Sequence, residues 1–241
     1  MSAAAEHIAG TGDSDILLIV DHASNAVPAD IALGVGRDAL DDHIGYDIGA
    51  AALARALAAR LGSDAILGTV SRLVVDLHRE HDHPRLIPET SDGQTIPGNA
   101  DLDDAARLAR IARFWTPYHD AVAHRIATRR PAFLVAVHSF TPALATTGEA
   151  RPWPVGILYN EDERAARIAI DLLRAAGFET GDNEPYSGKL LNATLNRHGE
   201  ANGIAYISIE VRNDELRDPA GVARWGDILT PIIAEVRNRL A

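Results

Sequence analysis

The stretch ILLIVDH, residues 16–22, sets five apolar residues in a row and then ends abruptly on an acid and a histidine. An unbroken apolar run of this length, rich in β-branched residues, marks a strand buried on both faces, as in the interior of a parallel sheet. FLVAVHS (133–139) and IAYISIE (204–210) repeat the pattern, and LVVDLHR (73–79) ends in the same way. Ala65 to Val70 and Val155 to Tyr159 read as further short strands. Between the strands lie helical patterns. IGAAALARALAARL (48–61) is flanked by Asp47 as a candidate N-cap and by Gly62 as a C-cap. Asp103 to Arg129 is predicted to be interrupted near Pro117, Asp162 to Ala176 to stop at Gly177, and Val222 to Leu240 to be amphipathic; Leu190 to His198 is a shorter helix. Strands alternating with helices imply crossover connections and a mostly parallel sheet covered on both faces. In such a sheet the ligand site lies at the carboxyl ends of the strands.

The chain has 241 residues, with 46% hydrophobic and 24% charged, and is expected to form a single domain, 1–241, whose first 13 residues are a flexible segment. Its formal net charge of −11 argues against nucleic acid or an anionic membrane as partner and leaves a small molecule as the expected one. With no cysteine, disulfides and thiolate metal sites are excluded. The first residues lack the basic and apolar regions of a secretory signal, and no long uncharged apolar run is present, so a cytoplasmic enzyme is the expectation. Glu80 to Asn99, polar and carrying three prolines and two glycines, reads as a long binding loop.

A parallel sheet aligns strand ends, so His22, His138 and Glu210 converge although they are far apart in sequence. A lone histidine at a strand end is most often structural. Two imidazoles with an oxygen ligand and an open position make a catalytic zinc site, and a nearby carboxylate can then take the proton of the attacking water. Glu210 is the candidate base. Arg72 and Arg79 flank the 73–77 run, and either can grip a substrate carboxylate in bidentate fashion. Arg212, two residues beyond Glu210, falls on the same strand face. His198 is a candidate acid or electrophile, whereas His81 and His83 belong to a polar, solvated loop. Ser139 follows His138, but HSFTP lacks the glycines of a nucleophile elbow; HExxH and GxxxxGK[ST] are also absent.

These residues also carry a resemblance. LLIVDHASNAVP (17–28), GYDIGAAALARAL (45–57), SRLVVDLHRE (71–80), PYHDAV (117–122), VAVHSFTP (135–142), NEPYSG (183–188) and IEVRND (209–214) run in order through nearly the whole chain. Together they resemble the N-formylglutamate amidohydrolases, within a wider group that includes zinc carboxypeptidases and aspartoacylase-like enzymes. The resemblance implies a three-layer α/β/α fold of the phosphorylase/hydrolase type and hydrolysis of an N-formyl or other N-acyl amino acid. It implies His22 and His138 as zinc ligands, Glu210 as base and Arg79 as the substrate clamp. The wider group often has HxxE at the first ligand pair; here His22-Ala-Ser-Asn25 puts an amide at that place. Asp47 is therefore expected to be the third ligand, with Asn25 as the alternative. DLHR replaces DLNR, so His78 stands where an amide would touch substrate, and Ser139 joins it on the substrate side. Two other readings stay open: a carboxypeptidase-like or other deacylase on this scaffold, and a metal-free binding protein. Acyl group, amino acid and oligomeric state are not specified.

Overall fold

The structure, a computed structural model, describes residues 4–240. In chain order, the strands are β1 (Ala5–Ile8), β2 (Ile16–Val20), β3 (Asp64–Gly68), β4 (Thr90–Ser91), β5 (Gln94–Thr95), β6 (Phe133–Phe140), β7 (Val155–Leu158), β8 (Thr180–Asp182) and β9 (Ala205–Arg212). The helices are α1 (Arg37–Leu40), α2 (Ala50–Leu61), α3 (Asp104–Arg110), α4 (Thr116–Thr128), α5 (Arg164–Ala175), α6 (Ala193–His198) and α7 (Pro219–Arg239).

Seven strands form one sheet in the order β1-β3-β2-β6-β9-β7-β8, and β4 and β5 form a separate small hairpin. The central four, β3, β2, β6 and β9, are mutually parallel, while β1 and β7 join antiparallel. Each residue of β2 and β6 is buried, which explains why both read as unbroken apolar runs rather than alternating ones. From β2 the chain crosses through α2 to β3 on one side, then through α3 and α4 back to β6 on the other. Right-handed crossovers in opposite directions put these helices on opposite faces. Accordingly α2, α5 and α7 pack together in one layer, and α4 packs with α6 in the other. The chain reverses its direction of growth at β2, and the carboxyl end of β2 is where Asp21 and His22 lie.

Three expectations need correction, and a fourth needs refinement. Leu73–Leu77 is not a strand. Both edges of β2 are occupied, and the free edge of β3 is taken by β1, so no position beside β2 or β3 remains for it. The segment is buried as irregular chain, and its carbonyls are capped by side chains instead: Leu73 by Asn99, Val74 by Arg110 and Leu77 by His119. Within residues 1–13, β1 pairs with β3, and Glu6 is held by Arg55, so this stretch is not simply flexible; residues 1–3 lie outside the described residues. Asp47 does not cap α2. The cap is Gly49 at φ 82°, a left-handed position that favours glycine, and its Cα lies so close to Leu216 that an added Cβ would sit 2.4 Å from the Leu216 Cβ. The interruption expected near Pro117 in the 103–129 helix is present, but as a π-helical turn at Ile111–Trp115 rather than as a break.

β9 pairs with β6 on one side and β7 on the other, and Glu210 has His138 and Gly156 as its respective Cα partners. A Cβ on Gly156 would stand 2.0 Å from the Glu184 carbonyl oxygen, because the 183–186 turn rests directly on this strand. Gly156→Ala should therefore destabilise the protein by about 2–3 kcal/mol in denaturant unfolding. An unchanged midpoint would show that the turn can move away freely.

Candidate active site

The site is assembled at the carboxyl ends of β2, β6 and β9. In-register parallel pairing puts the side chains of His138 and Glu210 next to each other on one face. The Asp47 amide donates to the His22 carbonyl at 3.0 Å, which fixes the start of the α2 approach against the end of β2. His22, Asp47, His138 and Glu210 are all buried, with relative exposures of 3–6%, yet all line a cavity of about 480 Å³.

Asp47 is the centre of the polar network. Its Oδ2 lies 2.8 Å from His138 Nδ1 and 3.4 Å from His22 Nδ1, while its Oδ1 accepts from Arg72 Nη1 at 3.2 Å. The other ring nitrogen of each histidine faces a second carboxylate. His22 Nε2 is 2.7 Å from Asp76 Oδ1, and His138 Nε2 is 3.4 Å from Asp21 Oδ2 without an aligned hydrogen bond. Burial works against charge on both imidazoles, but the surrounding carboxylates prevail: His22 is raised, and His138 is raised well above the ordinary histidine range. Asp21 and Asp76 are held well below the usual carboxylate range by the histidines and, for Asp76, the arginines beside them, against the effect of burial.

Glu210 behaves in the opposite way. Burial pushes its carboxyl up to about 7, with a further contribution from the Asp47 charge, and its Oε2 has no hydrogen-bond partner. A buried, unpartnered carboxylate that titrates near neutrality has the properties of a general base.

Among the described residues, two groups of ligand-type side chains have donor atoms within 4.8 Å of one another: His22, Asp47 and His138; and Asp21, His78 and His138. Bonds of about 2.0–2.1 Å at the tetrahedral angle put ligand atoms about 3.3 Å apart; in the first group Asp47 Oδ2 is 3.4 Å from His22 Nδ1 and 2.8 Å from His138 Nδ1, so an ion fits once His138 withdraws by about 0.5 Å. The second group has the same two spacings, and the first is distinguished by facing the unpartnered Glu210 carboxylate across the cavity. The carboxylates behind both imidazoles are the usual outer partners of metal-binding histidines.

The arginines and the remaining predicted residues divide. Arg72 bonds Asp47 and Asp76, Arg79 bonds Asp76, and both line the cavity. His78 also lines it, with its Nδ1 2.8 Å from Asp21. Ser139 lies at the cavity wall and donates its hydroxyl to the Ile48 carbonyl. The structure does not bring Asn25, Arg212 or His198 to the cavity. Asn25 donates to Asp41 across an exposed turn. Arg212, the last residue of β9, bonds Asp214 and the Arg151 and Pro152 carbonyls instead. His198 is buried in a stack with His119, at 2.9 Å from its Nδ1. Asp21 and Asp76 carry no predicted role, although Asp21 directly precedes His22 and Asp76 lies two residues before His78. Asp21 is fully buried and also accepts from the Tyr118 and Thr194 hydroxyls.

Residues 14–216 match the N-formylglutamate amidohydrolase family. The chain belongs to that family of amidohydrolases. No curated protein matches it. The crystal structure of gene product Atu2144 from Agrobacterium tumefaciens is similar at 31% identity and a TM-score of 0.95, over 99% of this chain and 96% of that one. The N-formylglutamate amidohydrolase from Ralstonia eutropha JMP134 shares the fold at 19% identity and a TM-score of 0.70, over 99% and 98% of the two chains. The three-layer α/β/α architecture is thus that of the family, and no helix among the described residues is long and apolar enough to cross a membrane.

The His119–His198 pair has a consequence for acid stability. His119 Nε2 donates to the Leu77 carbonyl, so its Nδ1 accepts from His198 Nε2, and both rings are neutral. Burial lowers His119 to about 3 and His198 to about 4. An unfolded histidine titrates near 6.5. The unfolded chain therefore binds protons that the folded one refuses. The stabilisation is complete above about pH 6.5 and is lost as pH falls toward 4 and 3. His198→Gln, which keeps a donor for His119, should show a shallower fall in melting temperature between pH 6.5 and 4 than the parent. Parallel curves would contradict the neutral pair.

Proposed function

We propose that the protein is a zinc-dependent amidohydrolase that cleaves an N-formyl or other short N-acyl amino acid, such as N-formyl-glutamate. The observation that carries this reading is the convergence of two buried imidazoles on one Asp47 oxygen, beside a buried Glu210 whose Oε2 is unpartnered. Family membership supports the reaction type.

His22, Asp47 and His138 would hold the ion through Nδ1, Oδ2 and Nδ1. When bound there, zinc supplies a water of lowered pKa and a Lewis acid for the scissile carbonyl. Asp76 and Asp21 orient the two imidazoles from behind, so each ring keeps the nitrogen facing Asp47 free for the ion. Arg72 engages the second oxygen of Asp47 and leaves Oδ2 to face the imidazoles. Glu210 accepts the proton of the attacking water, being partly ionised at neutral pH, and returns it to the departing nitrogen. Arg79 keeps two terminal guanidinium nitrogens without hydrogen-bond partners among the described residues, ready for a substrate carboxylate.

In an amidase assay on N-formyl-glutamate, chelator should abolish turnover and added Zn²⁺ restore it. Glu210→Gln should lower kcat by about 10²–10⁴-fold while the protein still binds one zinc. A Glu210→Gln enzyme within tenfold of the parent would remove Glu210 from the base role. Full activity in chelator would remove the metal.

A further inference from the structure

Arg85 is an exposed cation with no side-chain hydrogen bond or ion pair to any described residue, although it lines the active-site cavity. Its neighbours on that wall are also short of partners. Arg79 uses only Nε, toward Asp76, and the hydroxyls of Thr90 and Ser91 make no hydrogen bond with described residues. Arg72, Asp76, Arg79, Arg85, Thr90 and Ser91 also surround a side recess of about 30 Å³ that adjoins the main cavity. The acid in this wall is already saturated. Asp76 Oδ1 takes His22 Nε2 and the His78 amide, and its Oδ2 takes Arg72 and Arg79. Three guanidinium groups therefore face one engaged carboxylate, in a chain whose net charge is −11. Such a concentration of cations and free hydroxyl donors is complementary to an anion.

The recess is also held in shape. Thr90 and Ser91 form β4, and the turn of the β4–β5 hairpin is pinned by Asp92. Its carboxylate accepts from the Ala145 and Thr146 amides, the Thr146 hydroxyl and His43 Nε2, at 2.8–3.1 Å. A subsite on a fixed hairpin can discriminate, because its donors do not have to be ordered at the moment of binding.

We infer that Arg85, with Thr90, Ser91 and the free end of Arg79, forms a specificity subsite for a carboxylate on the substrate side chain, remote from the scissile amide. This rests on the amidohydrolase reading of the adjoining site. It adds Arg85 and the hairpin as the elements that select an acidic over a neutral amino acid of equal size. Arg85 touches neither the ion site nor Glu210; its effect is on binding.

The test compares N-formyl-L-glutamate with its isostere N-formyl-L-glutamine on the zinc-loaded parent, Arg85→Gln and Arg85→Lys. The parent should prefer the glutamate compound. Arg85→Gln should reduce the ratio of the two kcat/KM values by about 10–100-fold, through KM, and Arg85→Lys by less, since a point charge replaces the planar fork. An unchanged ratio in Arg85→Gln overturns the subsite while leaving the amidase reading intact. Glutarate and butyrate titrated calorimetrically provide an arm independent of turnover. Glutarate should bind the parent at least tenfold more tightly than it binds Arg85→Gln, and butyrate should show no such difference. If the parent hydrolyses neither formyl compound but the glutarate difference holds, the subsite stands and the amidase reading falls. Equal glutarate affinities in parent and variant overturn the subsite.

Discussion

One carboxylate oxygen, Asp47 Oδ2, is approached by two buried imidazoles that come from different strands. Three charged or chargeable groups cannot be buried this closely without compensation, since an unpaired buried charge is costly. Much of the surrounding architecture provides that compensation. Asp76 stands behind His22 and Asp21 behind His138, and Arg72 neutralises the far side of Asp47. Asp21 is in turn anchored by Tyr118 from α4 and by Thr194 from α6. The layer formed by α4 and α6 thus anchors the polar centre, and a divalent cation between the imidazoles and Asp47 would complete its charge balance.

The sheet topology explains why these groups meet. Growth of the sheet reverses at β2, so the chain end that carries His22 opens into a crevice between β3 and β6. Register then adds Glu210 beside His138. The irregular 71–80 segment closes one wall. Because side chains rather than a neighbouring strand cap its carbonyls, it can bend and direct Asp76 inward and Arg72, His78 and Arg79 to the cavity. A straight strand would have sent alternate residues to opposite faces.

Much of this was legible in the sequence where local pattern and burial agree. ILLIVDH and FLVAVHS are strands because full burial on both faces demands unbroken apolar residues, and their polar ends mark the site. The family motifs led to Asp47, which the geometry sets against both histidines. LVVDL misled for a definite reason: apolar content reports burial, not hydrogen bonding, and the edge this segment would need belongs to β1, which is weakly apolar and easily overlooked. His198 has the composition of a catalytic residue but is used as a donor to His119, a pairing set by the packing of α4 on α6. Arg212 lies on the expected face of β9, but the strand ends there and the side chain turns to local acids and carbonyls. Arg85 lies in no motif, and Asp21, although inside the VDH motif, shows its part only through the partners it has in three dimensions.

The central claim is that one ion sits between His22, Asp47 and His138, with Asp21 and Asp76 behind it. The most direct measurement is anomalous diffraction at the zinc edge from crystals of the protein grown with zinc. The account predicts a single strong peak within about 2.0–2.2 Å of His22 Nδ1, His138 Nδ1 and an Asp47 oxygen. A peak bound instead by His138 Nε2, Asp21 and His78, or no peak at the site, would contradict it.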